Sequence, residues 1–282
     1  FATSTLYDCL QGNPGGPYTT SCNIFLGALP QRIPCPIPLV AEEEADCLVD
    51  DRATPDLPDF GNTIFNVIQD AINTNGCDSI FIRFTTASSY FEEDILIDKS
   101  NKNLVLWSTQ GAVIVGRHTI DTNTDNVTFV GLRLIVPGDN QNPLFSVNKE
   151  NDKNLGFVVI LNSDIDGSGC RKCGLFNTAR LNILVVNWTS ISGFEFFANK
   201  LDDIVQLTMA HNQVISVVGR AFLTKYSEGF IIDSNTWIDV RGGADLKGAA
   251  IFSLTATSES ACDGSTPSRR CLFRNNVHIV NV

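Results

Sequence analysis

Asparagine returns at near-equal steps along the second half of the chain. Asn162, Asn187, Asn212 and Asn235 lie 25, 25 and 23 residues apart, and a step of 41 reaches Asn276. Three residues before each stands an apolar residue: Val159, Leu184, Met209, Ile232 and Phe273. Three after four of them stands isoleucine (Ile165, Ile215, Ile238, Ile279); after Asn187 the match, Ile191, falls at four. An earlier copy, FVGLRLI, has Gly131 in the asparagine position. Self-similarity at a fixed period marks a repeat architecture. A unit of strand, polar bend and second short strand predicts a parallel β-helix, in which each turn of the coil is one rung. Rungs stack at the strand spacing of about 4.8 Å, so equivalent residues stand above one another. A repeated asparagine at the bend then forms a ladder over Asn162, Asn187, Asn212, Asn235 and Asn276, each amide satisfied by the next.

The step from 235 to 276 reads as one rung carrying an insertion. SLTATSESACDGSTPSRRC is rich in Ser and Thr, and Cys262 and Cys271 would clasp it as a loop over about 255–271. Upstream, DFGNTIFNVIQDAINTNG changes period. Ile64, Phe65, Val67, Ile68, Ala71 and Ile72 make one apolar face of a helix over about 62–74, with Asn62 or Thr63 as its N-cap. DSIFIRF then alternates as a strand, followed by YFEEDILIDKSNKNLVLWS and GAVIVG.

This passage resembles the entry of the pectate-lyase-like, right-handed parallel β-helix superfamily, where an amphipathic IQDAIN-type helix covers the open first rung. The resemblance spans roughly 60–282. It implies an all-β fold: a right-handed parallel β-helix solenoid with one N-terminal capping α-helix. Residues 1–58 form a Cys-rich irregular N-terminal arm, and 59–282 form the β-helix. The resemblance does not imply one activity, since the superfamily mixes lyases, hydrolases, esterases, phage fibres and surface proteins.

Nine cysteines indicate disulfides and an oxidising, extracellular or surface location. Five crowd the first 77 residues (Cys9, Cys22, Cys35, Cys47, Cys77), so one of these pairs outside the group or stays free. Cys170/Cys173 and Cys262/Cys271 are two close pairs. No histidine pair or second Cys-x-x-Cys accompanies Cys170, so neither a metal nor a cofactor is expected. Asn126-Val-Thr and Asn187-Trp-Thr are glycosylation sequons, and the ladder register argues against a glycan on Asn187. The net charge of −11 argues against nucleic acid and anionic membrane partners. No apolar run is long enough to span a bilayer. The chain opens FATSTLYD like a trimmed product, and closes NNVHIVNV inside a strand phrase. The expectation is that further chain or another subunit covers that end.

Carbohydrate-active β-helices gather acids on one outer face. Asp164 and Asp166 are the best local pair, and counting by the asparagine step sets Asp239 on the Asp166 column, with Arg241 near it. No catalytic residue is assigned beyond these candidates, because Asn-x-Asp, Asp-Asp, Gly-His and Arg-x-Lys do not occur in order. His211 reads as a core or groove histidine. Three functions remain. The first is an extracellular structural subunit of a filament, flagellar hair, coat or virion appendage, self-associating through its ends and arm. The second is a polysaccharide lyase or glycoside hydrolase acting on acidic glycans. The third is a non-catalytic glycan-binding or adhesive module, which would expose aromatics drawn from Trp107, Trp188 and Trp237.

Overall fold

The computed structural model describes residues 21–26, 29–34, 45–51, 63–83, 90–98, 103–109, 111–121, 124–138, 142–147, 155–168, 173–179, 181–194, 200–202, 204–217, 223–225, 229–240, 253–255 and 271–279. Apart from one antiparallel pair (Ser21–Leu26 with Leu29–Pro34), the strands lie in three parallel sheets. That antiparallel pair gives the N-terminal segment regular structure where an irregular arm was expected.

The ten-stranded sheet runs, in spatial order, Thr63–Phe65, Cys47–Asp50, Ser79–Arg83, Asn103–Trp107, Asn126–Val130, Leu155–Leu161, Leu181–Asn187, Gln206–Ala210, Gly229–Asp233 and Cys271–Arg274. The eight-stranded sheet runs Phe91–Glu92, Val113–Val115, Arg133–Ile135, Asp164–Asp166, Ser190–Ser192, Gln213–Ile215, Thr236–Ile238 and Val277–Ile279. The seven-stranded sheet runs Ile95–Ile97, His118–Ile120, Phe145–Val147, Phe176–Ala179, Lys200–Asp202, Leu223–Lys225 and Ser253–Thr255. From Asn103 onward the chain visits the ten-, eight- and seven-stranded sheets in that cyclic order, so each strand pairs with the one three strands later.

All three sheets contribute to one apolar cluster. Its rows are uniform along the pairing direction. One is Leu106, Phe129, Ile160, Val186, Met209 and Ile232; another is Ile114, Leu134, Ile165, Ile191, Val214 and Trp237. Each such side chain contributes roughly 1.5–3 kcal/mol by leaving water. The other face of the ten-stranded sheet is apolar too. Leu48, Phe81, Trp107, Val130, Val159, Leu161 and Val185 form a second buried cluster there. Two-sided burial is usual for parallel sheets and explains why these strands read as unbroken apolar runs. Trp107 packs on Phe81 with ring centroids 4.5 Å apart, and its indole N–H donates to Ser79 Oγ at 3.1 Å. Asp50 is fully buried on this sheet, and its Oδ2 accepts from Arg83 Nε and an Arg83 terminal nitrogen at 2.8 and 2.6 Å.

The helix is shorter than its sequence pattern predicted, Ile68–Asn73. Thr63–Phe65 instead forms the edge strand of the ten-stranded sheet, paired in parallel with Cys47–Val49. The N-cap position is Val67, with no side-chain cap. The Glu93 carboxylate supplies the cap from across the fold, accepting from the Ile68 and Gln69 N–H groups at 3.0 and 3.1 Å. Ile68, Ala71 and Ile72 are buried, and the helix lies against the first strands of the ten- and seven-stranded sheets. The Cys47–Cys77 disulfide closes a 30-residue separation there, a cross-link worth about 3–4 kcal/mol by chain-entropy reasoning. Cys47–Asp50 belongs to the ten-stranded sheet, so the parallel structure reaches into the segment expected to be arm.

The core also encloses a titratable side chain in apolar surroundings. His118 stands in an inward row of the seven-stranded sheet between Ile95 and Phe145, fully buried, with rings of Phe129 and Phe145 beside it. Neither ring nitrogen has a hydrogen-bond partner. Burial pushes its pKa down to about 4, against a smaller opposing pull from Asp94. Between pH 6.5 and 4 the unfolded chain therefore takes up more protons at this site than the folded one. Stability from this site should be full above pH 6.5 and fall by up to about 3 kcal/mol as pH drops to 4. Urea unfolding across that window checks this: H118L should flatten the histidine-linked part of the slope and unfold at higher urea.

Candidate functional site

The bend joining the ten- and eight-stranded sheets carries the polar features of the molecule in parallel columns. One column is Ser163, Thr189, Asn212 and Asn235, all buried, and the half-buried Asn276. Asn212 donates from its backbone N–H and Nδ2 to Asn235 Oδ1 at 2.9 and 3.0 Å. Asn235 does the same to Asn276 Oδ1 at 3.1 and 3.0 Å. Each Nδ2 also donates back to a strand carbonyl, of Val186, Met209 and Ile232 respectively. The expected ladder is thus present at Asn212, Asn235 and Asn276.

Asn162 and Asn187 do not belong to it. Strand pairing sets Asn187 beside Leu161 and Ala210, where it is buried and its Oδ1 accepts the Ala210 N–H at 2.8 Å. Asn162 is exposed at the bend. In their place, the Ser163 hydroxyl donates to Leu161 O and the Thr189 hydroxyl to Asn187 O, while the Thr189 N–H donates to Asn212 Oδ1 at 2.9 Å. Hydroxyls meet the same local demand as the amides, so a search for asparagine alone misplaces the first two repeats. The inward neighbours shift with them: Val186 and Ile160, rather than Leu184 and Val159, share the row of Met209 and Ile232.

One residue before this column the backbone turns left-handed. Gly131, Asn162, Trp188, His211, Ser234 and Asn275 all have φ between 46° and 65°. Glycine is needed at 131, where a Cβ would lie 2.2 Å from Ser108 O. Asparagine tolerates this conformation, but a bulky aromatic there is an outlier that costs roughly 1–2 kcal/mol. Trp188 is nonetheless 39% exposed, and its ring stacks on His211 with centroids 4.2 Å apart and 12° between planes. Trp107 and Trp237 are core residues.

Two residues after the bend begins the outer face of the eight-stranded sheet. Asp164 and Asp166 straddle the buried Ile165 and both lie on that face. Arg133, on the preceding strand and not singled out by motif, reaches both, at 3.4 Å from Asp164 Oδ2 and 3.7 Å from Asp166 Oδ2. Asp166 Oδ1 also accepts the Ser168 N–H. Their pairing partners on the next strand are Ser190 and Ser192, then Gln213 and Ile215, then Thr236 and Ile238. Ile238, not Asp239, therefore occupies the Asp166 row. Asp239 stands one place on, at φ 52°, in the bend position of Gly193 and Ser216. Arg241 lies outside the described residues. An open triad of one guanidinium and two carboxylates is chemically an ion pair, worth at most about 1 kcal/mol on an exposed face.

Beside the bend, Asp233 is held below the ordinary carboxylate range. Burial alone would raise it, but hydrogen bonds from Arg274, Ser234 and Asn275 outweigh that. Cys173 and Cys271 are disulfide-bonded, whereas Cys9, Cys35, Cys170 and Cys262 and most of the predicted loop lie outside the described residues; Cys22 is on the Ser21–Leu26 strand. Asn126 Nδ2 donates to Asn103 Oδ1 on the neighbouring strand. Among the described residues no cluster of three metal-ligating side chains occurs, and no helix is long and apolar enough to cross a membrane.

No family model, curated protein or solved structure matches the chain.

Two substitutions separate scaffold from display. N235A removes the acceptor of two buried donors and the donor to Met209 O, so urea unfolding should show a loss of about 3 kcal/mol or more. W188N trades a stack worth about 0.5–1.5 kcal/mol for relief of left-handed strain, and should unfold within about 1 kcal/mol of the parent.

Proposed function

We propose that the three parallel sheets wind as a right-handed β-helix of the pectate-lyase-like type. On this reading the chain is an extracellular structural subunit that associates through the edge made by Cys271–Arg274 and Val277–Ile279. The carrying observation is one inward row. Leu106, Phe129, Ile160, Val186, Met209 and Ile232 are all buried to 1% exposure or less, whereas Phe273, next in that row, is 52% exposed. Val277 and Ile279 are exposed on the adjoining strand at 52% and 44%. An apolar strand edge of this kind is a template for pairing with another strand.

The ladder supports the same reading. Asn212 and Asn235 each give an Nδ2 hydrogen to the next amide oxygen, but Asn276 turns that hydrogen to Arg274 O at 2.7 Å. A further parallel strand with an Asn, Ser or Thr in register would restore the repeating bond and cover Phe273; in the proposed assembly a neighbouring subunit supplies it. The cyclic strand order and uniform rows support the β-helix, and the disulfides at Cys47–Cys77, Cys173 and Cys271 support an oxidising compartment.

Sedimentation velocity on the 282-residue chain tests the assembly. Concentration-dependent association that is lost in the double variant F273D/I279D, with its circular dichroism unchanged, is the expected result. A monomer at every concentration would overturn it.

A further inference from the structure

The left-handed bend column poses a question that assembly through the strand edge does not answer. Four of its six positions carry residues suited to the conformation or small: Gly131, Asn162, Ser234 and Asn275. The other two carry Trp188, which is exposed, and His211, which is half-buried, and their rings lie flat on one another. Neither ring fills the core, and tryptophan is strained where it stands. Holding a large apolar ring at an exposed, strained position points to a ligand rather than to folding.

The surroundings narrow the class of ligand. The stacking direction follows the strand pairing, because the two rings directly follow the ends of neighbouring strands of the ten-stranded sheet. Beyond His211 the next step is Ser234, a small side chain whose hydroxyl is turned to Asp233 Oδ1. Beyond that, Asn275 is likewise turned to Asp233 Oδ1. The ring stack thus stops at His211 with a step of about 4.8 Å left without a ring. Two residues along from the bend positions runs a row that is polar over Arg133, Asp164, Ser190, Gln213 and Thr236 and apolar at Val277. A flat ring face bordered by a carboxylate, hydroxyls and an amide suits a molecule with an apolar face and a hydroxyl rim.

We infer that the Trp188–His211 pair, with the Ser234 step and the Asp164–Ser190–Gln213–Thr236 row, binds an uncharged oligosaccharide. A pyranose ring continues the stack over His211, and its hydroxyls meet the polar row. An acidic glycan fits less well. Among the described residues the cations here are already engaged: Arg133 of that row by Asp164 and Asp166, and Arg274 beside the bend by Asp233, on a chain of net charge −11. The site does not depend on the strand edge at Cys271–Ile279, so it stands whether or not the chain assembles.

The tryptophans make the test direct. Of the three in the chain, Trp107 and Trp237 are buried, so acrylamide quenching reports Trp188. A panel of neutral gluco-, manno- and xylo-oligosaccharides is titrated against the full chain. Quenching follows Trp188, and calorimetry gives affinity for the parent, W188N, H211A and S234W. At least one neutral oligomer should protect Trp188. Its affinity should fall about tenfold or more in W188N and H211A, the size of one lost aromatic stack. S234W, which fills the vacant step with a ring, should also abolish it. Asn already occupies this column at 162 and 275, so W188N keeps the backbone, and H211A removes a ring without touching the strained tryptophan. Absence of protection across the panel, unchanged affinity in W188N and H211A, or tighter binding of an acidic oligomer such as oligogalacturonate would each overturn the inference.

Discussion

Buried amides that bond their counterparts on the next strand set the register on which the rest of this molecule depends. In a parallel sheet the backbone hydrogen bonds are equivalent from one residue to the next, and a slip of one residue turns every side chain to the opposite face. Apolar rows resist such a slip weakly where both faces are apolar, as they are in the ten-stranded sheet. Asn212 and Asn235 resist it strongly. Out of register, each would bury an amide and expose two donors on its neighbour to an apolar setting. The ladder contributes specificity first and stability second.

The first strands of the three parallel sheets are secured differently, because among the described residues no earlier strand of those sheets pairs with them. Glu93 caps a six-residue helix that carries no cap of its own, and Cys47–Cys77 ties the Cys47–Asp50 strand to the turn after the helix. A helix this short is marginal alone, so its existence rests on these contacts and on burying Ile68, Ala71 and Ile72. The Asp50–Arg83 pair works in the same place, joining the strands on either side of the helix with a charge that could not be buried unpaired.

The repeat was legible because apolar columns need similar residues at each step, and the later intervals, Asn212 to Asn235 to Asn276, were read correctly through an insertion. The first two intervals were not, because Ser163 and Thr189 satisfy the bend with hydroxyls that leave no asparagine to count. That one-residue error carried Asp239 onto the Asp166 row, where pairing puts Ile238. The helix was overextended at its start because Ile64 and Phe65 suit either period, and only the pairing partner Leu48–Val49 decides between them. Arg133 was invisible for another reason. Its link to Asp164 spans 31 residues and follows from strand pairing rather than from any local pattern.

Columns that need uniformity and columns that do not explain where variety appears. Inward rows can change only among apolar residues of similar size, and the ladder only among groups that can donate and accept at one point. The bend column is constrained at its backbone, by a positive φ, and hardly at all at its side chain, which faces solvent. Glycine or asparagine meets the backbone demand at least cost, so those residues at 131, 162 and 275 need no further account. Tryptophan at 188 meets it at greatest cost, and its stack on His211 returns only part of that. By contrast, Arg133 with Asp164 and Asp166 costs little and gains little on an open face, and solvation alone accounts for it. Residual strain, rather than residual charge, therefore distinguishes the bend at Trp188 from the rest of the surface.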